Sequence, residues 1–237
     1  MRNILITNDD GIQADGLRRL AAAAASFGQI WVVAPDTERS ALSHGITLRE
    51  PLEVLPYEFP VQGVRAFSCS GSPADCVRVG GLSVMGAAPD LVLSGVNYNY
   101  NVASDVQYSA TVGAAFEGAF QGWHSIAFSE GTDAHVVTDA YLEKVLEMLI
   151  DAPLGHGQIF NVNFPGCALD EYRGILENRT VSKGMVFRDH YNMIEERKDG
   201  GKRWMVEGVY TPEAEEGTDY RAVLDNYISI GIVNNVG

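Results

Sequence analysis

The chain has 237 residues, 46% hydrophobic and 20% charged, with a formal net charge of −14. That apolar share supports a full-sized globular core and excludes intrinsic disorder. The acidic balance excludes a binder of nucleic-acid backbone, which needs a basic face, and any phosphate chemistry in so acidic a chain calls for a metal ion to offset the repulsion.

Asn3 to Thr7 is a short β-rich apolar run that ends in the polar turn Asn8-Asp9-Asp10-Gly11. Leu17 to Ser26, with five consecutive alanines, predicts a helix that Gly28 stops. Ile30 to Ala34 predicts a second strand ended by Pro35-Asp36, and Ser70 to Asp75 reads as a structural helix start with Pro73 in its first turn. Leu91 to Leu93 and Ile126 to Phe128 are further strands, separated by an Ala- and Gly-rich helix from Ser109 to Phe120. Thr138 is the expected N-cap of a helix running to Ile150, with Leu142, Val145, Leu146 and Leu149 on one stripe. Ile159 to Phe164 is expected to be the last strand of the sheet. Short apolar strands alternating with helices predict an α/β fold, a parallel sheet covered on both faces.

After Pro165 the composition changes. Asp170 to Asp219 holds twelve acids and eight bases, with Tyr172, Tyr191, Trp204 and Tyr210 among them. Asp199-Gly200-Gly201-Lys202 reads as a turn between two extended arms, and Arg203 to Val209 as a strand with one wet face. The expected organisation is one domain over 1–237, with the sheet in 1–165 and a β-rich appendage in 166–237. The first ten residues carry two carboxylates, and no apolar run approaches the roughly 20 residues that span a bilayer. Cys69, Cys76 and Cys167 are an odd count without metal-ligand spacing, so reduced buried thiols are expected. A cytoplasmic location, without membrane or nucleic-acid partners, is the expectation.

In open parallel sheets ligands bind at the carboxyl ends of the strands. Three polar clusters fall there: Asn8 to Gly11, Asp36 to Ser40, and Ser94 to Asn97. Adjacent like charges repel unless a cation neutralises them. Asp9 and Asp10 offer carboxylates, Ser40 a hydroxyl and Asn97 an amide oxygen, a donor set that suits Mg²⁺ or Mn²⁺ rather than zinc. The alternative is that the two aspartates only form a turn and cap the next helix. Ser109 and Thr111 open a helix whose N-terminus suits an anion; plain capping by Ser109 is the other reading. The dinucleotide-binding, P-loop and serine-hydrolase motifs are all missing. A phosphatase acting through an aspartyl-phosphate would need its nucleophile at Asn8, which has no carboxylate.

ILITNDDGI at 4–12, APDTERSALSHGITL at 34–48, SGSPADCV at 70–77, LSGVN at 93–97, DVQYSATVGAAFEG at 105–118, NVNFP at 161–165 and GTDYRAVLDNYISI at 217–230 together resemble the SurE family, the stationary-phase survival proteins. The resemblance covers nearly the whole chain in order. It implies a Rossmann-like α/β domain with a β-hairpin and C-terminal arm used in oligomer assembly, giving a homodimer or homotetramer. It implies hydrolysis of nucleoside 5′- and 3′-monophosphates with one divalent ion per subunit, held at Asp9, Asp10, Ser40 and Asn97. Asp9 or Asp10 would serve as base, while Asn97, Ser109 and Thr111 would bind the phosphate. Two departures stand out. Tyr98-Asn99 replace the family's Arg or His followed by Gly, and Ala110 replaces a glycine between Ser109 and Thr111. A nucleotide- or metal-binding protein with lost or altered turnover, through the changed loop Tyr98–Ala110, is the second functional reading.

Overall fold

The computed structural model describes residues 1–235. Its centre is a nine-stranded sheet. Six parallel strands form the middle: β1 (Arg2–Thr7), β2 (Gly28–Pro35), β4 (Arg65–Cys69), β5 (Leu91–Tyr98), β6 (His124–Glu130) and β7 (Gln158–Phe164). Across the sheet they run β4-β2-β1-β5-β6-β7, the strand order of a doubly wound dinucleotide-type fold. The short strand β3 (Val54–Tyr57) adds antiparallel to β4 at one edge.

The sheet forms because both faces of each central strand are apolar. Ile4, Leu5 and Ile6 of β1 are all fully buried, as are Val92 and Leu93 of β5. Helices α1 (Asp15–Ala24) and α5 (Val136–Leu149) cover one face through Leu17, Leu20, Val145 and Leu146. On the other face lie α2 (Pro73–Val79), capped by a reciprocal Ser72–Asp75 box, and α4 (Ala110–Phe120). Full burial of each such Leu or Ile contributes about 1.5–3 kcal/mol. A single turn, α3 (Asp105–Tyr108), precedes α4.

Several boundaries differ from the sequence reading. Gly28 opens β2 rather than merely ending α1. Thr138 is not a cap: α5 starts two residues earlier, and the Thr138 hydroxyl is fully buried. β7 is not the last strand. After α6 (Asp219–Leu224) the chain returns as β11 (Tyr227–Asn234), antiparallel to β7, with the short β8 (Gly174–Leu176) alongside it. The run YISIGIVN buries Ile228, Ile230 and Val233, which ties it into the core instead of freeing it as an arm. The last two residues of the 166–237 segment lie outside the described residues.

The expected extended arms are β9 (Phe187–Glu196) and β10 (Lys202–Tyr210), an antiparallel hairpin with a register shift at Arg203/Trp204. Every residue of both strands is exposed. Direct pairing of Phe187 with Tyr210, Tyr191 with Val206, and Met193 with Trp204 puts the aromatic side chains, with Met193 and Val206, on one face, interrupted by Asp189 opposite Gly208. The other face mixes Arg188, His190, Asn192 and Glu207 with the exposed Ile194, Met205 and Val209. The alternation expected for Arg203 to Val209 is only partial, and in the single chain both faces, the aromatic one included, are exposed. All three cysteines are buried and free, as expected.

Candidate active site

Two strands leave the sheet in opposite lateral directions from the β1–β5 pair: the chain crosses from β1 to β2 on one side and from β5 to β6 on the other. Such a reversal opens a crevice at the carboxyl ends, where ligands bind. Asp9 and Asp10 follow β1, and Asn97 stands near the end of β5. They line one pocket of about 350 Å³ together with Glu38, Ser40, Tyr98, Asp105, Tyr108 and Ser109.

The turn after β1 is closed by Asn8, whose Nδ2 donates to the Gly11 carbonyl at 3.0 Å. Gly11 takes φ 99°, a region that favours glycine. Neither aspartate caps α1, whose N-cap is Ala14 with no side-chain bond. The carboxylates are therefore free for another purpose. Asp9 is 4% exposed and accepts one bond from the Thr111 hydroxyl at 2.5 Å. Burial, reinforced by the charges of Asp10 and Glu38, pushes the Asp9 carboxyl up to about 7 against the opposing pull of Thr111. The Asp10 carboxyl is also raised, first by burial, then by Glu38 and Glu130, although the Tyr98 backbone N–H donates to it at 3.3 Å.

Asn97 donates from Nδ2 to the Asn99 carbonyl at 2.7 Å, leaving Oδ1 near the Thr111 hydroxyl at 3.3 Å. Thr111 is fully buried beneath Asp9 and Asn97 and orients both, rather than lining the pocket itself. Ser109 is the N-cap of α4, its Oγ accepting from Val112 N at 3.0 Å, so the capping reading holds. Its hydroxyl hydrogen remains available toward the pocket it lines. Ser40 stands on the same pocket but turns its Oγ to Glu38 Oε1 at 2.8 Å. Asn99 takes φ 123°, so the loop keeps a backbone path that glycine would ordinarily fill.

The Ser40 loop is strapped to α4. Ser43 donates to the Tyr108 carbonyl from its N–H at 3.0 Å and to the Gln107 carbonyl from its hydroxyl at 2.9 Å. His44 Nε2 lies 2.8 Å from the buried Glu117, which also receives Arg78 at 3.0 Å and Gln121 at 2.9 Å. Burial works to raise the Glu117 carboxyl, but His44, Gln121 and Arg78 together hold it below the ordinary glutamate range. Gly113 permits the approach, since a Cβ there would lie 2.4 Å from the Ser43 carbonyl oxygen.

Four carboxylates line this pocket (Asp9, Asp10, Glu38 and Asp105), and no Lys or Arg does among the described residues. An anionic ligand cannot enter such a field unless a cation accompanies it. The donors are oxygens throughout, which suits a hard divalent ion with water completing its shell. Among the described residues no group of three or more His, Cys, Asp or Glu is placed to hold a metal. Glu38 and Tyr108 are pocket residues not among the expected site residues, with their neighbours Ser40 and Ser109 as the signal, whereas Tyr98 was expected only as a change in the loop.

A Rossmann-like sheet with an acidic pocket at its switch point defines an α/β protein that binds its ligand at the carboxyl ends of the parallel strands. The profile of the family described as "Survival protein SurE" matches residues 4–186, and the chain belongs to this family. A relative named 5'-nucleotidase SurE from Synechococcus sp. (strain JA-3-3Ab) is 42% identical over 96% of this chain and 90% of that protein. One of the same name from Chelativorans sp. (strain BNC1) is 40% identical over 96% and 91%. The crystal structure of the SurE protein from Aquifex aeolicus superposes with a TM-score of 0.81 at 31% identity, covering 98% of this chain and 93% of that one.

Proposed function

We propose that this chain is a 5'-nucleotidase: a metal-dependent phosphomonoesterase that releases phosphate from nucleoside 5′-monophosphates, and from the 3′ isomers. The observation that carries the reading is the buried Asp9 beside half-buried Asp10 at the switch point, in a pocket lined by four carboxylates and, among the described residues, by no Lys or Arg. The names of its relatives support the activity.

In this reading Asp9, Asp10, Ser40 and Asn97 hold one Mg²⁺ or Mn²⁺ per subunit. When bound, the ion polarises a phosphoryl oxygen and lowers the pKa of water. Thr111 fixes the orientation of Asp9 and Asn97 through its hydroxyl. Asn97 and the Ser109 hydroxyl hold the phosphate, with the α4 N-terminus behind Ser109 adding its positive end. The carboxylate of Asp9 or Asp10 takes the proton from the attacking water.

The whole chain acts as one domain, and the uncovered apolar face of the β9–β10 hairpin supports a homodimer or homotetramer built through it. No helix among the described residues is long and apolar enough to cross a membrane, and a cytoplasmic site of action agrees with the nucleotide substrate. The test is phosphate release from a panel of nucleoside monophosphates with Mn²⁺, with Mg²⁺ and with EDTA. Release that EDTA abolishes and metal restores is expected. Nucleotide binding by calorimetry without any release would favour the reading of a binding protein with lost turnover.

A further inference from the structure

Beyond the phosphate end, the pocket continues into an aromatic wall. Tyr98 follows Asn97 directly, their Cα atoms about 3.8 Å apart, and Tyr108 precedes Ser109. Both tyrosines line the pocket, and they are 57% and 56% exposed. Tyr100, also in the pocket, is different: its phenol oxygen accepts from Gly166 N at 2.8 Å and is committed to the loop behind it.

Tyr98 is exposed yet held. Its backbone N–H donates to Asp10 at 3.3 Å and its hydroxyl to the Thr132 carbonyl at 3.4 Å. Its ring packs against His135 at 5.8 Å between centroids, tilted by 51°. His135 in turn lies 2.9 Å from the buried Glu130, which Arg19 also grips. The ring is thus braced on one side by His135, which stands beside the Arg19–Glu130 ion pair, and is open on the other. A large aromatic surface held in water beside a ligand site is preorganised for stacking, because little side-chain freedom remains to be lost.

We propose that Tyr98 is the base-contacting, specificity-determining residue of this pocket. Its open face stacks on the nucleobase of a monophosphate whose phosphate lies against Asn97 and Ser109. This rests on the nucleotidase reading. Stacking grows with ring area, so a purine is held better than a pyrimidine.

The test compares adenosine and cytidine 5′-monophosphates with two ligands that lack a base, ribose 5-phosphate and inorganic phosphate, the last read as a competitive inhibitor. Tyr98→Ala is expected to raise KM for adenosine monophosphate about tenfold, with kcat and the inhibition constant of inorganic phosphate nearly unchanged. Tyr98→Phe is expected to keep the wild-type KM, and Tyr98→Leu, which preserves apolar bulk, to behave like Tyr98→Ala. Folding of each variant is checked by circular dichroism. An unchanged KM in Tyr98→Ala and Tyr98→Leu, an equal weakening of inorganic phosphate, or a loss confined to Tyr108→Ala overturns the assignment while leaving the nucleotidase reading intact. Absence of phosphate release by the wild-type protein from every ester tested overturns both.

Discussion

The switch-point pocket and the β9–β10 hairpin are built on opposite terms. At the pocket, charge is buried: Asp9 is almost inaccessible, and its carboxyl is pushed up to about 7. At the hairpin, apolar side chains are exposed: Tyr191, Met193, Trp204 and Val206 all face solvent in the single chain. Each is costly alone, the first through desolvation of charge and the second through hydration of apolar surface. A cation would offset the first cost, and another apolar surface the second. Exposure and burial that contradict residue type are thus the most informative features of this molecule.

The comparison can be broken by disabling one region and reading the other. Asp10→Asn is expected to lower turnover at least about a hundredfold, while analytical ultracentrifugation shows the same assembly as wild type. Gly113→Ala comes next. Its new Cβ would lie 2.4 Å from the Ser43 carbonyl oxygen, so the Ser40 loop must lift from α4. A roughly tenfold loss in kcat/KM is expected, together with faster amide exchange across residues 40–45. The paired change Tyr191→Glu with Trp204→Glu places charge on the apolar hairpin face, and is expected to reduce the assembled mass while kcat per subunit stays within about threefold.

The smallest expected effect sharpens the electrostatic half. Glu117 is held below its ordinary range in the folded state, so the folded protein binds fewer protons there than the unfolded chain. Its contribution is present above the ordinary glutamate range and is lost as pH falls through the folded value. Glu117→Gln is expected to remove about 1–2 kcal/mol at neutral pH and to flatten the acid limb of a denaturation-against-pH profile. Asp9 has the opposite sign. Its raised carboxyl means the folded protein binds more protons, so its contribution weakens as pH rises from about 4 toward 7.

Much of this arrangement was legible in the residues. The strands carrying Ile4, Val32, Leu93 and Phe128 announce themselves as fully apolar runs, and the polar clusters that end three of them mark the pocket. Asp9, Asp10 and Asn97 are brought together as the topology requires, with Ser40 at the rim. What stayed hidden depends on partners distant in sequence. Glu117 looks like an ordinary helix residue until His44, 73 residues away, and Arg78, 39 away, meet it. β3 contains Pro56 and is only four residues long, so no pattern marks it. β11 is apolar enough to read as a strand, yet its insertion beside β7 follows from the whole sheet rather than from its own eight residues. Tyr98 was visible as a departure in a motif, and only its exposure at the pocket gives that departure a use.

In the proposed function, buried Asp9 holds a divalent ion for phosphate-ester hydrolysis. Asp9→Asn tests it most directly, with thermal unfolding in EDTA, Mn²⁺ calorimetry and phosphate release from adenosine monophosphate measured on the same preparation. The variant is expected to be at least as stable as wild type in EDTA, because a desolvated charge has been removed, and to have lost both tight Mn²⁺ binding and turnover. A folded variant that still binds Mn²⁺ and releases phosphate at the wild-type rate would contradict the proposed function.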